Sequence, residues 1–305
     1  MGRDFFTRTG STSLENALEE TTAMKIGFNL LLWTAHVEPR HWPILEDLKR
    51  CGYDGVEIPI FEGTPEHYAE LGRELDRLGL DRTVIALFPG TEMNPIGAEA
   101  SQQEAGRRHM QWILDCSAAL GAKVVGGPLH STLGHFSGDA PTADERARGI
   151  AFHRDAGDMA KARGITLVLE AVNRFECYFV NTMRDLAGYL ADVDHPNVAG
   201  MYDTFHANIE EKDPIAAVAA IAPHLAHVHV SENDRGTPGK GHVDFAATFK
   251  ALKAVDYDGW ITIEAFGRSM PLLAAATRVW RDLFPTATEV YSDGYTLIRD
   301  GWRAA

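Results

Sequence analysis

The sequence predicts an α/β protein folded as one (β/α)8 TIM barrel with a C-terminal extension. Short apolar runs rich in Val, Ile and Leu alternate with longer amphipathic stretches, eight times over. Runs of that composition read as parallel strands buried on both faces. Eight such units in a chain of 305 residues close as a barrel, a fold that reaches this length as a single domain. A doubly wound open sheet is the alternative. It would bring a glycine-rich phosphate turn after its first strand, whereas the first strand here runs into Leu31-Leu32-Trp33-Thr34.

Strands are expected over residues 25–31, 55–59, 82–87, 123–127, 165–170, 198–203, 226–230 and 260–264. Helical patterns cover 41–50, 66–78, 104–120, 144–162, 182–190 and 245–254. Gly52, Gly79, Gly121 and Gly164 follow four of them as stop signals. The barrel is expected over residues 24–288. Residues 289–305 are left as the extension, packed on the barrel or on a partner subunit. Residues 1–23 read as a tail or an extra helix; Arg3, Asp4, Arg8, Glu15, Glu19 and Glu20 leave no apolar stretch for a secretory signal.

Charge and cysteine content narrow the partners. A formal net charge of -14 repels phosphate backbones, so nucleic acid is not expected. No apolar run reaches the length of a membrane span. The three cysteines, Cys51, Cys116 and Cys177, are odd in number and scattered. They form neither a disulfide framework nor a zinc knuckle, and a reduced cytoplasmic setting is expected.

Barrel enzymes carry their reactive groups at the C-terminal ends of the strands. The fifth strand ends on Glu170 and the sixth on Asp203; the seventh delivers His229 and the eighth ends on Glu264. Singly, each acid is as readily a cap on the following helix. On four successive strands, three carboxylates and one imidazole form a hard, oxygen-rich set. It suits Mn2+ foremost, with Co2+ or Mg2+ as alternatives, and lacks the thiolates of a closed zinc site. Glu176, His206 and Arg235 follow in the loops above the same rim, where a substrate would sit.

Other signals carry less. Gly236-Thr237-Pro238-Gly239-Lys240-Gly241 lacks the Ser or Thr and the following helix of a phosphate loop. His130 and His135 are open between pocket lining and a surface loop. His195, His224 and His227 are expected to be structural.

Several runs resemble the D-tagatose/D-psicose (allulose) 3-epimerase family. They are Leu169-Glu170-Ala171-Val172-Asn173-Arg174-Phe175-Glu176, Tyr202-Asp203-Thr204-Phe205-His206, His227-Val228-His229, Gly239-Lys240-Gly241 and Ile263-Glu264-Ala265-Phe266. They occur in the family's order and spacing across the second half of the chain. The resemblance implies that Glu170, Asp203, His229 and Glu264 hold one divalent metal ion, and that Glu170 and Glu264 are also the acid–base pair. It implies that Glu176, His206 and Arg235 hold a free ketose around O1 and O2, that Phe266 is an aromatic wall, and that the protein is a homodimer or homotetramer. Trp33, at the exit of the first strand, is expected as a further wall in preference to Phe28. The implied reaction is reversible C3 epimerisation through a cis-enediolate. Removing the proton beside the carbonyl needs a base on one face and an acid on the other. The alternatives are another isomerase, dehydratase or 3-keto-glycoside lyase on the same metal barrel, an endonuclease IV-like nuclease, and a non-catalytic binding subunit.

Overall fold

Eight parallel strands follow one another around a closed barrel, and β8 pairs back to β1. The structure is a computed structural model and describes residues 24–305. The expectation for residues 1–23 lies outside the described residues. The strands are β1 Lys25–Asn29, β2 Gly55–Pro59, β3 Asp81–Ile85, β4 Val124–Gly127, β5 Thr166–Glu170, β6 Val198–Asp203, β7 Leu225–Val230 and β8 Trp260–Ile263. Each expected strand is present, with ends shifted by at most two residues.

The helices are α1 Trp42–Cys51, α2 Pro65–Leu78, α3 Ala100–Leu120, α4 Ala143–Lys161, α5 Met183–Val193, α6 Thr204–Glu210, α7 Pro214–Ile221, α8 Phe245–Ala254, α9 Pro271–Ala276 and α10 Ala287–Ala304. Their apolar stripes face the barrel: α1 buries Leu45 and Leu48, and α2 buries Tyr68, Leu71 and Leu75. Burying one such side chain contributes about 1.5–3 kcal/mol. Helix stops follow the glycine signals. Gly79 and Gly121 adopt left-handed φ values of 65° and 84°, a conformation an L side chain rarely takes.

Two features were not anticipated. The β6–β7 connection holds two helices, α6 and α7, where no helical pattern had been delimited. α7 is started by Asp213, whose carboxylate accepts from the N–H groups of Ile215 and Ala216. The C-terminal helix begins at Ala287 and lies between α1 and α8 over β8 and β1. It therefore takes the eighth place in the helical ring. Tyr53 ties it down by donating to the Tyr291 carbonyl at 2.7 Å.

β2 comes close to its neighbours. A Cβ on Gly55 would stand 2.4 Å from the Asp81 carbonyl oxygen, so only glycine fits this register. Two residues further along the same strand, Glu57 is fully buried.

Candidate metal centre

The rim above β5–β8 brings the four predicted side chains together. Glu170 and Asp203 are the last residues of β5 and β6, His229 is the penultimate residue of β7, and Glu264 follows β8. The register pairs Asp203 with His229, and the Glu264 N–H donates to the Val230 carbonyl at 3.1 Å. One oxygen or nitrogen from each of the four lies within 4.8 Å of the others, and all four residues are buried.

Asp203 divides its two oxygens. Oδ1 accepts from the N–H groups of Phe205 and His206 at 2.6 and 3.2 Å, and so caps α6. Oδ2 faces His229 Nδ1 at 3.5 Å. Capping and ligation, posed as alternatives from the sequence, are compatible, because the cap uses Oδ1 alone and Oδ2 is left for a cation. Asp203 Oδ2 and His229 Nδ1 are buried and have no hydrogen-bond partner. Leaving such atoms unpaired is costly. A divalent cation sharing them with Glu170 and Glu264 removes that cost, and the donor set fits a hard cation.

Beneath this set lies a layer that the sequence reading missed. Glu57 Oε2 accepts from His229 Nε2 at 2.8 Å and from Asn29 Nδ2 at 3.0 Å. Its Oε1 accepts from Thr83 Oγ1 at 3.0 Å and lies 2.9 Å from His227 Nε2. The same Asn29 amide donates to Glu264 Oε1 at 3.1 Å. Glu57, His227 and His229 also cluster closely enough to hold an ion. The Glu57 oxygens are already occupied by Asn29, Thr83 and His229, so Glu57 reads as a hydrogen-bonded support of His229. By fixing Nε2–H, Glu57 turns Nδ1 of His229 toward the metal set. A signal was present in the sequence: Val56-Glu57-Ile58 puts a charge inside a strand assigned as buried, and buried charges need partners.

Electrostatics divide the carboxyls. Burial pushes Glu170 well above the usual carboxylate range, and the nearby Glu264 pushes it further. Burial likewise pushes Glu264 up to about 7, against the pull of His229 and Arg235. Asp203 and Glu57 go the other way. Burial raises both, but His206, His229 and Arg235 outweigh it at Asp203, and His229 and His227 outweigh it at Glu57. Burial opposes the charge on His229, yet Glu57 and Glu264 hold its affinity for a proton well above normal. A cation at Nδ1 would take the place of that proton.

The residues expected around the ketose also converge. Arg235 Nη1 donates to Glu264 Oε2 at 2.6 Å and to Ser231 Oγ at 3.2 Å, and its guanidinium lies over the rings of Phe205 and Phe266 at 3.7 and 4.8 Å. Arg235 adopts a left-handed φ of 68° to reach there. His206 Nδ1 accepts from the Asn173 N–H at 3.0 Å, and Nε2 lies 3.1 Å from Arg235 Nη2 and 3.5 Å from Glu170; burial lowers its pKa to about 4, so it is neutral. Asn173 Nδ2 donates to Glu176 Oε1 at 2.8 Å. Glu170, Glu176, His206, Arg235, Glu264 and Phe266 all line one cavity at the barrel mouth.

Trp33 does not line this cavity. It lies against Phe28, ring centroids 5.0 Å apart, and lines a separate surface depression with Phe284 and Pro285. After β1 the chain tightens into a 3-10 turn over Leu30–Leu32, with the Asn29 side chain accepting from the Leu31 N–H. That turn points Leu31 at the cavity and carries Trp33 past it. His130 is no surface-loop residue: it is fully buried, with Nε2 2.9 Å from the Glu170 carbonyl oxygen.

Known proteins are similar to this chain in sequence and fold. A family model described as xylose isomerase-like TIM barrel matches residues 45–286. A ketose 3-epimerase of Arthrobacter globiformis is 31% identical over 281 residues, covering 91% of this chain and 96% of that protein. The chain therefore belongs to the xylose isomerase-like TIM-barrel family, within its ketose 3-epimerase group. The crystal structure of a D-allulose 3-epimerase from Methylomonas sp. superposes with a TM-score of 0.85 at 28% identity, covering 92% of this chain and 98% of that one. A 3-dehydro-D-guloside 4-epimerase of Escherichia coli is 35% identical over 227 residues, 71% of this chain and 84% of that protein.

Proposed function

We propose that this protein is a metal-dependent ketose 3-epimerase acting on a free ketose of the D-tagatose, D-fructose/D-allulose or L-ribulose type. One observation carries the reading. Two buried carboxyls with raised proton affinity, Glu170 and Glu264, share a rim with an Asp203 that stays ionised and an Arg235 that touches Glu264.

Inverting C3 needs one carboxylate to take the proton from one face and a carboxylic acid to return one to the other. Glu170 and Glu264 are matched to this, because mutual repulsion favours one proton between the two. Arg235 holds Glu264 in place, and with Glu176 and the neutral His206 it offers hydrogen bonds to the oxygens at C1 and C2. The apolar cavity walls exclude water from the carbanionic stage. A divalent cation held by Glu170, Asp203, His229 and Glu264 supplies polarisation of the ketone and of the charge developing on its oxygens. The oxygen-rich set with one imidazole supports Mn2+, with Co2+ or Mg2+ next. The family resemblance supports a homodimer or homotetramer. The three free cysteines fit a reducing cytoplasm.

The test is incubation with Mn2+ and D-fructose, D-tagatose or L-ribulose in deuterated water. The C3 epimer should form with deuterium at C3. No epimer from any of the three would sink the reading. Glu170→Gln should retain metal and lose turnover by at least a hundredfold; full activity would refute its acid–base role. The 35% identity to a 3-dehydro-D-guloside 4-epimerase favours a second reading, proton removal from C4 beside a C3 ketone. Turnover of a 3-keto-glycoside with none of a ketose would select it.

A further inference from the structure

The mouth cavity is chemically two-sided. Its ionisable side chains, Glu170, Glu176, His206, Arg235 and Glu264, stand on or after β5–β8. The other half is built from the ends of β1–β4 and from α9, and its walls are Leu31, Phe61, Ile85, Leu87, Leu133 and Leu273. Among the described residues, no charged, amide or imidazole side chain lines that half. Pro128 faces it without an N–H to give. Thr277 brings a hydroxyl, but its Oγ1 already donates to the Leu273 carbonyl at 2.8 Å.

Resting on the ketose 3-epimerase reading, the polar half takes C1–C3 and the apolar half receives the remote end of the sugar. A hydroxyl carried into that half gives up water for at most the lone pairs of Thr277 Oγ1, whereas a methyl group gains apolar contact. We propose that the site is built for a ketose whose terminal carbon is deoxygenated, a 6-deoxyketohexose, over one ending in CH2OH. Phe61 and Leu273 reach the cavity from after β2 and after β8, the two strands that flank β1, so the remote end is covered from that side of the barrel.

The experiment compares kcat/KM of the Mn2+-loaded wild-type protein for matched pairs: 6-deoxy-D-tagatose against D-tagatose, and 6-deoxy-D-fructose against D-fructose. The deoxy member of each pair should win by on the order of tenfold to a hundredfold, the range for a polar or apolar group in an apolar pocket, with the gain mainly in KM. Equal values within threefold, or preference for the hydroxylated sugar, would overturn the proposal while leaving the epimerase reading intact. Epimerisation of none of the four sugars would instead remove the reading on which it rests.

Discussion

Glu57 touches no substrate, yet it should govern how tightly the metal is held. Glu57→Gln keeps the shape of the side chain and removes its charge. In the folded protein both oxygens meet donors: Asn29 Nδ2 and His229 Nε2 at Oε2, Thr83 Oγ1 at Oε1, with His227 Nε2 also 2.9 Å from Oε1. An amide can satisfy one side and must turn its NH2 against donors on the other. The charge-assisted bond to His229 is lost or weakened, at about 2 kcal/mol. Partners of metal-bound histidines typically change affinity ~10–100-fold, so the two routes agree on roughly a thirtyfold rise in the Mn2+ dissociation constant. Competition titration against a fluorescent chelator reads this directly, with no dependence on turnover. Circular dichroism of the metal-free variant separates weakened binding from collapse, and Glu57→Asp, which keeps the charge, should recover part of the affinity. A folded Glu57→Gln protein binding Mn2+ within twofold of wild type would refute the support role.

Two further expectations follow from the same geometry. Arg235→Lys cannot bond Glu264 and Ser231 while lying over Phe205 and Phe266, so kcat/KM should fall at least about tenfold; a value within threefold of wild type would show that a point charge suffices. The metal-free protein should lose thermal stability as pH rises from about 6.5 to 8; below 6.5 the buried His130, His153, His206 and His227, whose proton affinity burial lowers, act with the opposite sign. Glu170 and Glu264 keep protons in the folded state that the unfolded chain releases just above the ordinary carboxyl value of 4.5, and the raised His229 adds the same sign above its ordinary 6.5. Asp203 and Glu57, both lowered, act only below that window. Scanning calorimetry with and without saturating Mn2+ checks this: a falling melting temperature without metal, flattened or reversed with it. A metal-free melting temperature that rises across the window would contradict the assignment.

The alternation of apolar runs and amphipathic stretches was enough to read a closed eight-stranded barrel and to place Glu170, Asp203, His229 and Glu264 on one rim. Both are consequences of local periodicity, because a strand's end lies where its apolar run ends. The helices of the β6–β7 connection were less legible. α7 is apolar nearly throughout and has no polar face to mark a period, and α6 is short and begins directly after Asp203, the residue that ends β6 and caps it. What only tertiary structure decided are relations between distant segments. Trp33 is carried past the cavity by a turn that depends on the Asn29 side chain, and Leu31 takes the place expected for it. Glu57, 172 residues from His229, becomes its partner because barrel closure brings β2 across from β7. The residue types at the metal set are thus written in the order of the chain, whereas the support beneath them and the apolar half of the cavity arise from through-space packing, which no local pattern encodes.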